Sequence, residues 1–226
     1  MNKLLFNLVV LILFQVQFLS FSFKRTLPLK FSKKFKIFSD VLGQETFDAD
    51  TTEAIEIPTY LPSDKGVDYV PLATLLATGD FSGADQFTRD NLIRIAGSEA
   101  QKRNFVYWTD VKNIPSTDLA TMERLWLQFS DGKFGYSVQK RVWDIERGNF
   151  DNFIRRIGWT KIDTGNERKL KWFGKSEFIY DVETAPKGHL PLTSALRGTQ
   201  LLRQLMLHPV WEAHDWKNYK DIKWES

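Results

Sequence analysis

The chain has 226 residues, with eight Trp, 18 Phe and no Cys, and its length suits one or two small domains. Without Cys, disulfides, thiolate catalysis and Cys-ligated metals are excluded. The formal net charge is +3, but residues 1–39 carry seven Lys and Arg and no acid, and the rest has 24 basic against 28 acidic residues, net −4. A nucleic-acid-binding domain would itself be basic, so the composition argues against that class.

The first 39 residues are predicted to be a targeting leader. An apolar run at residues 4–19 follows Lys3 and ends beside small serines, which is typical of a signal peptide. The acid-free stretch at 21–39, rich in Ser, Lys and Phe, is typical of a transit peptide. Together they resemble the two-part presequence of proteins sent to plastids bounded by extra membranes. The alternative is a permanent membrane anchor, because residues 4–23 are just long enough to span a bilayer.

Residues 40–67 are predicted to be a linker, since they are acidic and hold Pro and Gly with little apolar periodicity. Residues 68–211 follow as the predicted helical domain, and residues 212–226 as a polar and aromatic tail. The domain begins with two helices in an antiparallel hairpin, joined at Gly79-Asp80. Their apolar residues recur at helical spacing: Tyr69, Leu72, Leu75 and Leu76, then Phe81, Ala84, Phe87, Leu92 and Ile95.

The remaining pattern brings the total to about seven predicted helices, with no convincing sheet. A short helix or turn is predicted at 105–111, and Ser116 and Ser137 are predicted to cap two longer helices. The apolar stripe of the first of these longer helices, Leu119, Met122, Leu125, Trp126 and Phe129, is expected to face the core. A shorter helix follows at 150–157. Residues 161–171 are predicted to be a loop and 172–182 to be extended. A last long helix is predicted to begin at Leu192 or Thr193 and to run to Leu207.

The sequence offers no obvious catalytic or metal-binding group. His208 and His214 flank Glu212, but Pro209 interrupts the spacing of a zinc-binding helix, so no metal site is predicted there. A nucleophile elbow, a phosphate loop and a dinucleotide fingerprint are all missing. Nothing in the sequence supplies an evident acid, base or nucleophile, so the residues predict no catalytic site, while an enzyme remains an open alternative.

Four non-repetitive motifs stand out in the predicted domain. They are WLQFSDGKFGYSVQ at 126–139, RIGW at 156–159, PKGHLP at 186–191, and LRG at 196–198 followed by HPVW at 208–211. The first places Phe134 and Tyr136 beside glycines on a loop between two helices, and loops commonly carry binding residues. On these motifs the chain resembles, from about residue 68 to residue 211, the genomes-uncoupled-four family of porphyrin-binding regulators of magnesium chelatase.

This resemblance implies an all-α fold, a compact domain shaped like a cupped hand with long functional loops. The palm would bind protoporphyrin IX or magnesium protoporphyrin IX, with no tightly bound protein metal. The chain would not be catalytic. It would stimulate magnesium chelatase in chlorophyll biosynthesis through the large porphyrin-binding subunit of that enzyme. The expected location is the plastid stroma and the surface of plastid membranes.

The resemblance and the chemistry of a porphyrin together suggest ten contact residues. The macrocycle needs aliphatic and aromatic contacts, and the two propionates need cations or hydrogen-bond donors. Arg197 is the predicted propionate partner, with Ser194 beside it, and a surface salt bridge is the alternative role of Arg197. His189 is expected to be a structural hydrogen-bonding group rather than an axial ligand. The other seven predicted contacts are apolar: Val111, Ile114, Phe134, Tyr136, Val138, Phe178 and Leu190.

Two departures from the family pattern concern this site. Phe129 stands where the family often has Tyr, which removes one hydroxyl. Ser194 stands where some relatives have Asn, which leaves one propionate contact open.

Two other functions remain open at this stage. A helical adaptor of the plastid would use the same aromatic surface for a protein partner without binding pigment, and would give no porphyrin difference spectrum. An enzyme of tetrapyrrole metabolism would turn over a bound porphyrin in isolation.

Overall fold

The computed structural model describes residues 57–171, 177–193 and 199–223. Over these ranges the chain forms eight α-helices, two 3-10 helices and one two-stranded sheet, so the prediction of a mostly helical fold is confirmed. Both interpretations of the leader fall outside the described ranges, as do Ser194 and Arg197. None of the helices in the described ranges is long and apolar enough to cross a membrane.

The elements follow one another with short connections. The first half contains α1 (Val70–Ala77), α2 (Phe81–Ile95), α3 (Ser98–Arg103), the first 3-10 helix (Trp108–Asn113) and α4 (Ser116–Phe129). The second half contains α5 (Tyr136–Ile145), α6 (Phe150–Arg156), β1 (Thr160–Ile162), β2 (Arg168–Leu170), α7 (Gln200–Met206), α8 (Val210–Ala213) and the second 3-10 helix (Trp216–Asp221).

The predicted hairpin of α1 and α2 is confirmed. Asp80 caps α2, because its carboxylate accepts a hydrogen bond from Gly83 N at 2.8 Å. Gly79 adopts a φ of 76°, a left-handed conformation that glycine reaches without strain and that lets α1 end in a tight turn. Leu72 and Leu76 of α1 are buried in the core, as is Phe81 of α2.

The core is built around α4, as its apolar stripe predicts. Leu125 and Trp126 are fully buried, and Phe129 is half-buried. Trp126 donates from its indole Nε1 to Thr88 Oγ1 at 3.0 Å, so its polar atom is satisfied inside the core. Phe134 packs edge-on against Phe81, with ring centroids 5.5 Å apart, and this contact ties the loop after α4 to α2.

Residues 57–67, in the predicted linker, lie along α4. Tyr60 O accepts from Arg124 Nη1 at 3.0 Å, and Pro62 O accepts from Thr121 Oγ1 at 2.7 Å. Ser63 Oγ donates to the buried carboxylate of Asp118 at 2.5 Å. These bonds place the segment against the domain, while the domain boundaries themselves stay predictions.

The start of α5 is capped by a carboxylate from another helix. Glu123 of α4 accepts from Tyr136 N at 2.6 Å and from Ser137 N at 3.0 Å. The N-cap position is Gly135, at a φ of 136°, so the prediction that Ser137 caps this helix is wrong. Ser116 likewise lies inside α4 as its first residue, after Pro115, and no side chain caps that helix.

Two further boundaries differ from the sequence prediction. Where a loop was expected, β1 and β2 pair antiparallel with Thr160 opposite Leu170. The Asp163 carboxylate closes their turn by accepting from Gly165 N and Glu167 N. The last helix is described from Gln200, whereas the predicted start at Leu192 or Thr193 is not helical. Leu192 N donates instead to the Asp85 carboxylate of α2, and the backbone at residues 191–193 is not helical.

The C-terminal segment also packs on the domain. Trp216 is buried against Trp211, with ring centroids 6.0 Å apart, and its Nε1 donates to Val210 O at 2.9 Å. Satisfied indole donors of this kind fix the second 3-10 helix in place.

Candidate functional site

A groove between α2, residues 104–108 and the start of α7 is the candidate ligand site, and we call it the aromatic pocket. Its volume is about 380 Å³, within the range of roughly 300–1,000 Å³ that is usual for small-molecule sites. Its apolar lining consists of Leu92, Ile93, Phe105, Val106, Tyr107, Trp108, Leu192 and Leu201. Its polar lining consists of Gln86, Arg89, Asp90, Asn104, Thr193 and Gln200.

One wall of the aromatic pocket is a short aromatic segment that leaves α3. Asn104 ends α3 in the left-handed conformation, at a φ of 57°, which directs the following residues away from the helix axis. Tyr107 and Trp108 each remain 47% exposed. Large aromatic side chains with this much exposed surface are suited to contact a flat apolar ligand.

An ion pair between Arg103 and Asp110 fixes the position of this aromatic segment. Arg103 Nη2 donates to Asp110 Oδ2 at 2.6 Å, and Tyr107 N donates to the same oxygen at 2.7 Å. The Arg103 guanidinium also lies 5.6 Å from the Phe105 ring centroid and 5.3 Å from that of Tyr107. Cation–π contacts at these distances are favourable, so the segment is fixed before a ligand arrives.

The opposite wall is tied to α2 through one buried carboxylate. Asp85 Oδ1 accepts from Leu192 N at 2.6 Å, and its other oxygen pairs with Arg89. Burial raises the pKa of Asp85 to about 6, while Arg89 and the Leu192 N–H act to lower it. The Arg89 side chain is 27% exposed and lines the pocket, and its Nη2 donates to Gln86 Oε1 at 2.5 Å.

The PKGHLP motif forms a loop that is bonded to the core at several points. Gln139 of α5 donates from Nε2 to Gly188 O at 3.0 Å and to Pro191 O at 2.8 Å. Gly135 N donates to Leu190 O at 3.0 Å. These bonds hold the chain immediately before Leu192, so the loop positions one wall of the aromatic pocket.

His189 is fully buried in this loop, and both of its ring nitrogens have backbone partners. Nδ1 donates to Ile157 O at 2.6 Å, because Nε2 accepts from Ile179 N at 3.0 Å. Burial lowers the pKa of His189 to about 4, only partly opposed by the bond to Ile157 O. The imidazole is therefore neutral near pH 7, which matches the structural role expected of it.

The residues that the sequence suggested as porphyrin contacts lie in the core or outside the described ranges. Those described are all buried, and none of them lines the aromatic pocket: Val111, Ile114, Phe134, Tyr136, Val138, Phe178, His189 and Leu190. Val138 lines a second groove instead. Ser194 and Arg197 fall between Thr193 and Gln200, which both line the pocket. Contact of these ten residues with a ligand stays a prediction.

The aromatic wall of the pocket is not among the predicted contact residues. For the run Phe105-Val106-Tyr107-Trp108 the sequence pattern predicts only a short helix or turn. Four apolar residues in succession directly after the polar end of α3 are the signal that could have indicated a surface aromatic cluster.

In the described part of the chain, no group of three or more His, Asp or Glu side chains is placed to hold a metal ion. His208 is buried, with Nε2 bonded to Ile114 O at 3.1 Å and Nδ1 accepting from Val210 N at 3.3 Å. It joins α8 to the end of the first 3-10 helix.

Fold and site together define a mostly helical protein with an aromatic pocket of small-molecule size. The GUN4-like family model matches residues 62–209, and the chain belongs to this family. It is 40% identical over 156 residues to a Ycf53-like protein of Synechocystis sp., covering 69% of this chain and 64% of the relative. It is also 40% identical over 142 residues to a chloroplastic tetrapyrrole-binding protein of Arabidopsis thaliana, covering 62% and 54%. The chain thus spans less than two thirds of the length of these relatives.

Two solved structures are similar to about two thirds of this chain over nearly their whole length. GUN4 from Chlamydomonas reinhardtii has 46% sequence identity and a TM-score of 0.62, covering 70% of this chain and 99% of that one. Ligand-free GUN4 from Arabidopsis thaliana has 38% identity and a TM-score of 0.59, covering 66% and 98%.

Proposed function

We propose that this chain binds a tetrapyrrole, protoporphyrin IX or magnesium protoporphyrin IX, in the aromatic pocket. The observation that carries the proposal is the half-exposed pair Tyr107 and Trp108, which line a mostly apolar groove whose polar lining includes the cation Arg89. The Arabidopsis relative carries the name of a tetrapyrrole-binding protein, which supports the same ligand class.

The residues of the pocket fit the chemistry of such a ligand. The macrocycle would lie against aromatic and aliphatic side chains, among them Trp108, Ile93 and Leu201. Burying a few hundred Å² of apolar surface contributes roughly 10 kcal/mol, from which association subtracts several kcal/mol or more. The propionates would accept from the guanidinium of Arg89 and, on the sequence argument, from Arg197 with Ser194 beside it.

The bound porphyrin would be presented to magnesium chelatase in the plastid. The chain would stimulate magnesium insertion through the large porphyrin-binding subunit of the enzyme without catalysing the reaction itself, and would act in the stroma and at the membrane surface. The leader-like residues 1–39 and the chloroplastic name of the Arabidopsis relative support this location. The absence of any catalytic motif from the sequence supports the non-catalytic role.

A titration with protoporphyrin IX, followed at the porphyrin absorption band, tests the binding proposal. The wild type should saturate at one porphyrin per chain. Trp108→Ala should weaken the affinity by about tenfold, equivalent to about 1.4 kcal/mol, because it removes an aromatic face of the pocket. Leu207→Ala is the matched control, since Leu207 is 59% exposed and does not line the pocket.

The outcomes separate the candidate functions. Unsaturable binding by the wild type would contradict the proposal and favour the helical adaptor. Equal affinity of the wild type and the Trp108 variant would place the ligand elsewhere. If porphyrin binds as proposed, the rate of magnesium chelation with and without the chain tests the stimulatory role. An unchanged rate would contradict that role while leaving the binding proposal intact.

A further inference from the structure

A second groove lies apart from the aromatic pocket and has no lining residue in common with it. We call it the cationic groove. Its volume is about 790 Å³, and it is formed by α5, the turn after α4, Lys187 and the second 3-10 helix. Five basic side chains from three helices and one loop line it: Arg141, Arg156, Lys187, Lys217 and Lys220.

Three of these cations have no ion-pair partner among the described residues. Arg156 pairs with Glu146, and Lys220 pairs with Asp131. The described part of the chain contains no such pair for the others, Arg141, Lys187 and Lys217. The acids on the lining are Asp131 and Asp221, so five cations face two carboxylates and the groove is net positive.

The apolar part of the lining is more deeply buried than the charged part. Val138 is fully buried and Val142 is 7% exposed, whereas Lys187 and Lys217 are exposed. Ile145, at the end of the same α5 stripe, is 61% exposed. The groove therefore has an apolar floor that continues to an exposed isoleucine, with cations around it.

The groove is already formed in the free chain, because its segments are bonded to one another. Gly132 adopts a φ of 71°, and a Cβ there would lie 3.2 Å from the Tyr219 ring, so the turn packs closely on the second 3-10 helix. Lys220 Nζ donates to Asp131 Oδ1 at 2.8 Å across the same contact. Gly188 N donates to Lys133 O at 2.9 Å, which fixes the backbone beside Lys187.

We propose that the cationic groove is a docking surface for an acidic, leucine-rich peptide segment of a partner protein. Carboxylates of the segment meet Arg141, Lys187 and Lys217, and its aliphatic side chains occupy the floor beside Val142 and Ile145. Charge complementarity of this kind selects the partner and speeds its association. The proposal goes beyond tetrapyrrole binding and does not depend on it.

The shape of the groove favours a peptide over an anionic membrane. A flat lipid surface would not reach Val138 and Val142, which are buried at the floor. It would also bring Asp131 and Asp221 against like charge, which is unfavourable. Peptide side chains enter a groove individually, so they can contact the floor and the cations while avoiding these two acids.

Fluorescence anisotropy with a fluorescein-labelled synthetic peptide of the repeat Glu-Glu-Leu-Leu tests the proposal on the full chain. We expect saturable binding at low salt that weakens as salt screens the charges. The double variant Lys187→Glu with Lys217→Glu should bind at least tenfold more weakly. The control is Lys65→Glu with Lys112→Glu, which makes the same change in net charge at exposed lysines outside the groove.

Each outcome decides the proposal. A selective loss in the groove variant, with unchanged circular dichroism and no binding of a Gln-Gln-Leu-Leu peptide by the wild type, supports it. The absence of saturable peptide binding overturns it, as does an equal loss in both double variants. The last experiment measures binding of the wild type and of the groove variant to vesicles containing phosphatidylglycerol. If they bind through Lys187 and Lys217 while the peptide does not, the groove is a membrane surface and the peptide proposal is wrong.

Discussion

Asp85 Oδ1 accepts a hydrogen bond from Leu192 N at 2.6 Å, although the two residues are 107 positions apart in the chain. The bond joins α2 to the end of the PKGHLP loop, and Leu192 lines the aromatic pocket. Because the other carboxylate oxygen pairs with Arg89, which also lines the pocket, a single buried side chain holds two parts of the candidate site.

Asp85→Ala should destabilise the fold by about 2–3 kcal/mol, because it leaves Leu192 N without its acceptor and removes the carboxylate that pairs with the partly buried Arg89. Asp85→Asn should cost less, since the amide oxygen can still accept from Leu192 N. Urea unfolding measures both changes. Asp90→Ala, an exposed acid on the same helix, should change the free energy of unfolding by under about 0.5 kcal/mol. Equal losses for Asp85→Ala and Asp90→Ala would contradict the structural role of Asp85.

Gly135→Ala should destabilise the protein more than Gly97→Ala. Both glycines are N-caps at positive φ, 136° and 108°, so both substitutions introduce backbone strain of about 1–3 kcal/mol. Only at Gly135 would the new Cβ also collide with the Glu123 carboxylate that caps α5, whereas nothing lies within 4 Å at Gly97. Thermal unfolding of the two variants compares them directly, and an equal loss would show that the contact with Glu123 can relax.

His189 should make the stability of the fold depend on pH between about 4 and 6.5. Its pKa is lowered to about 4 in the folded chain, so the unfolded chain binds more protons in this window. The free energy of unfolding should therefore rise with pH across this window. The contribution of His189 to it should be fully present above about pH 6.5 and should be lost as the pH falls towards 4. The contribution is at most about 3 kcal/mol.

Urea unfolding across this pH range compares the wild type with His189→Gln, which should lack this slope. Other titrating groups are common to both proteins and cancel in the difference. His214→Gln, at an exposed histidine, should keep the wild-type slope. An unchanged slope in His189→Gln would mean that the imidazole is not held neutral.

Arg197→Glu should weaken porphyrin binding at least several-fold, since it replaces attraction to a propionate with repulsion. This prediction comes from the sequence and its resemblance to the family. Isothermal titration with protoporphyrin IX measures it, with Arg203→Glu, at an exposed position of α7, as the control for net charge. Unchanged affinity in a folded Arg197→Glu protein would refute the propionate role.

Local patterns sufficed for much of the fold. The apolar spacing of α1 and α2 predicted the first hairpin, and the stripe containing Leu125 and Trp126 predicted a core helix, as the structure shows. These predictions held because helical periodicity and turn residues act within a few positions along the chain.

Boundaries set by distant partners could not be predicted in the same way. Ser137 looked like a helix cap, but Glu123 supplies the cap from another helix. Leu192 is the predicted start of a helix, but residues 191–193 are not helical and Leu192 N donates to Asp85 of α2. In both cases a buried carboxylate from a different element accepts a hydrogen bond from the backbone N–H. The local sequence does not indicate which carboxylate this will be.

The helical class of the fold and, through the motifs at 126–139 and 186–191, the resemblance to the family follow from the amino-acid sequence. The accessibility of each aromatic side chain, by contrast, depends on how the helices and loops pack. Phe134 and Tyr136 sit in a glycine-rich motif yet are fully buried, whereas Tyr107 and Trp108 stay half-exposed beside Arg89. The exposure of a side chain depends on which residues pack against it, and these come from distant parts of the chain. Burying an aromatic side chain contributes a large favourable free energy, so aromatic residues fill the core positions that the fold makes available.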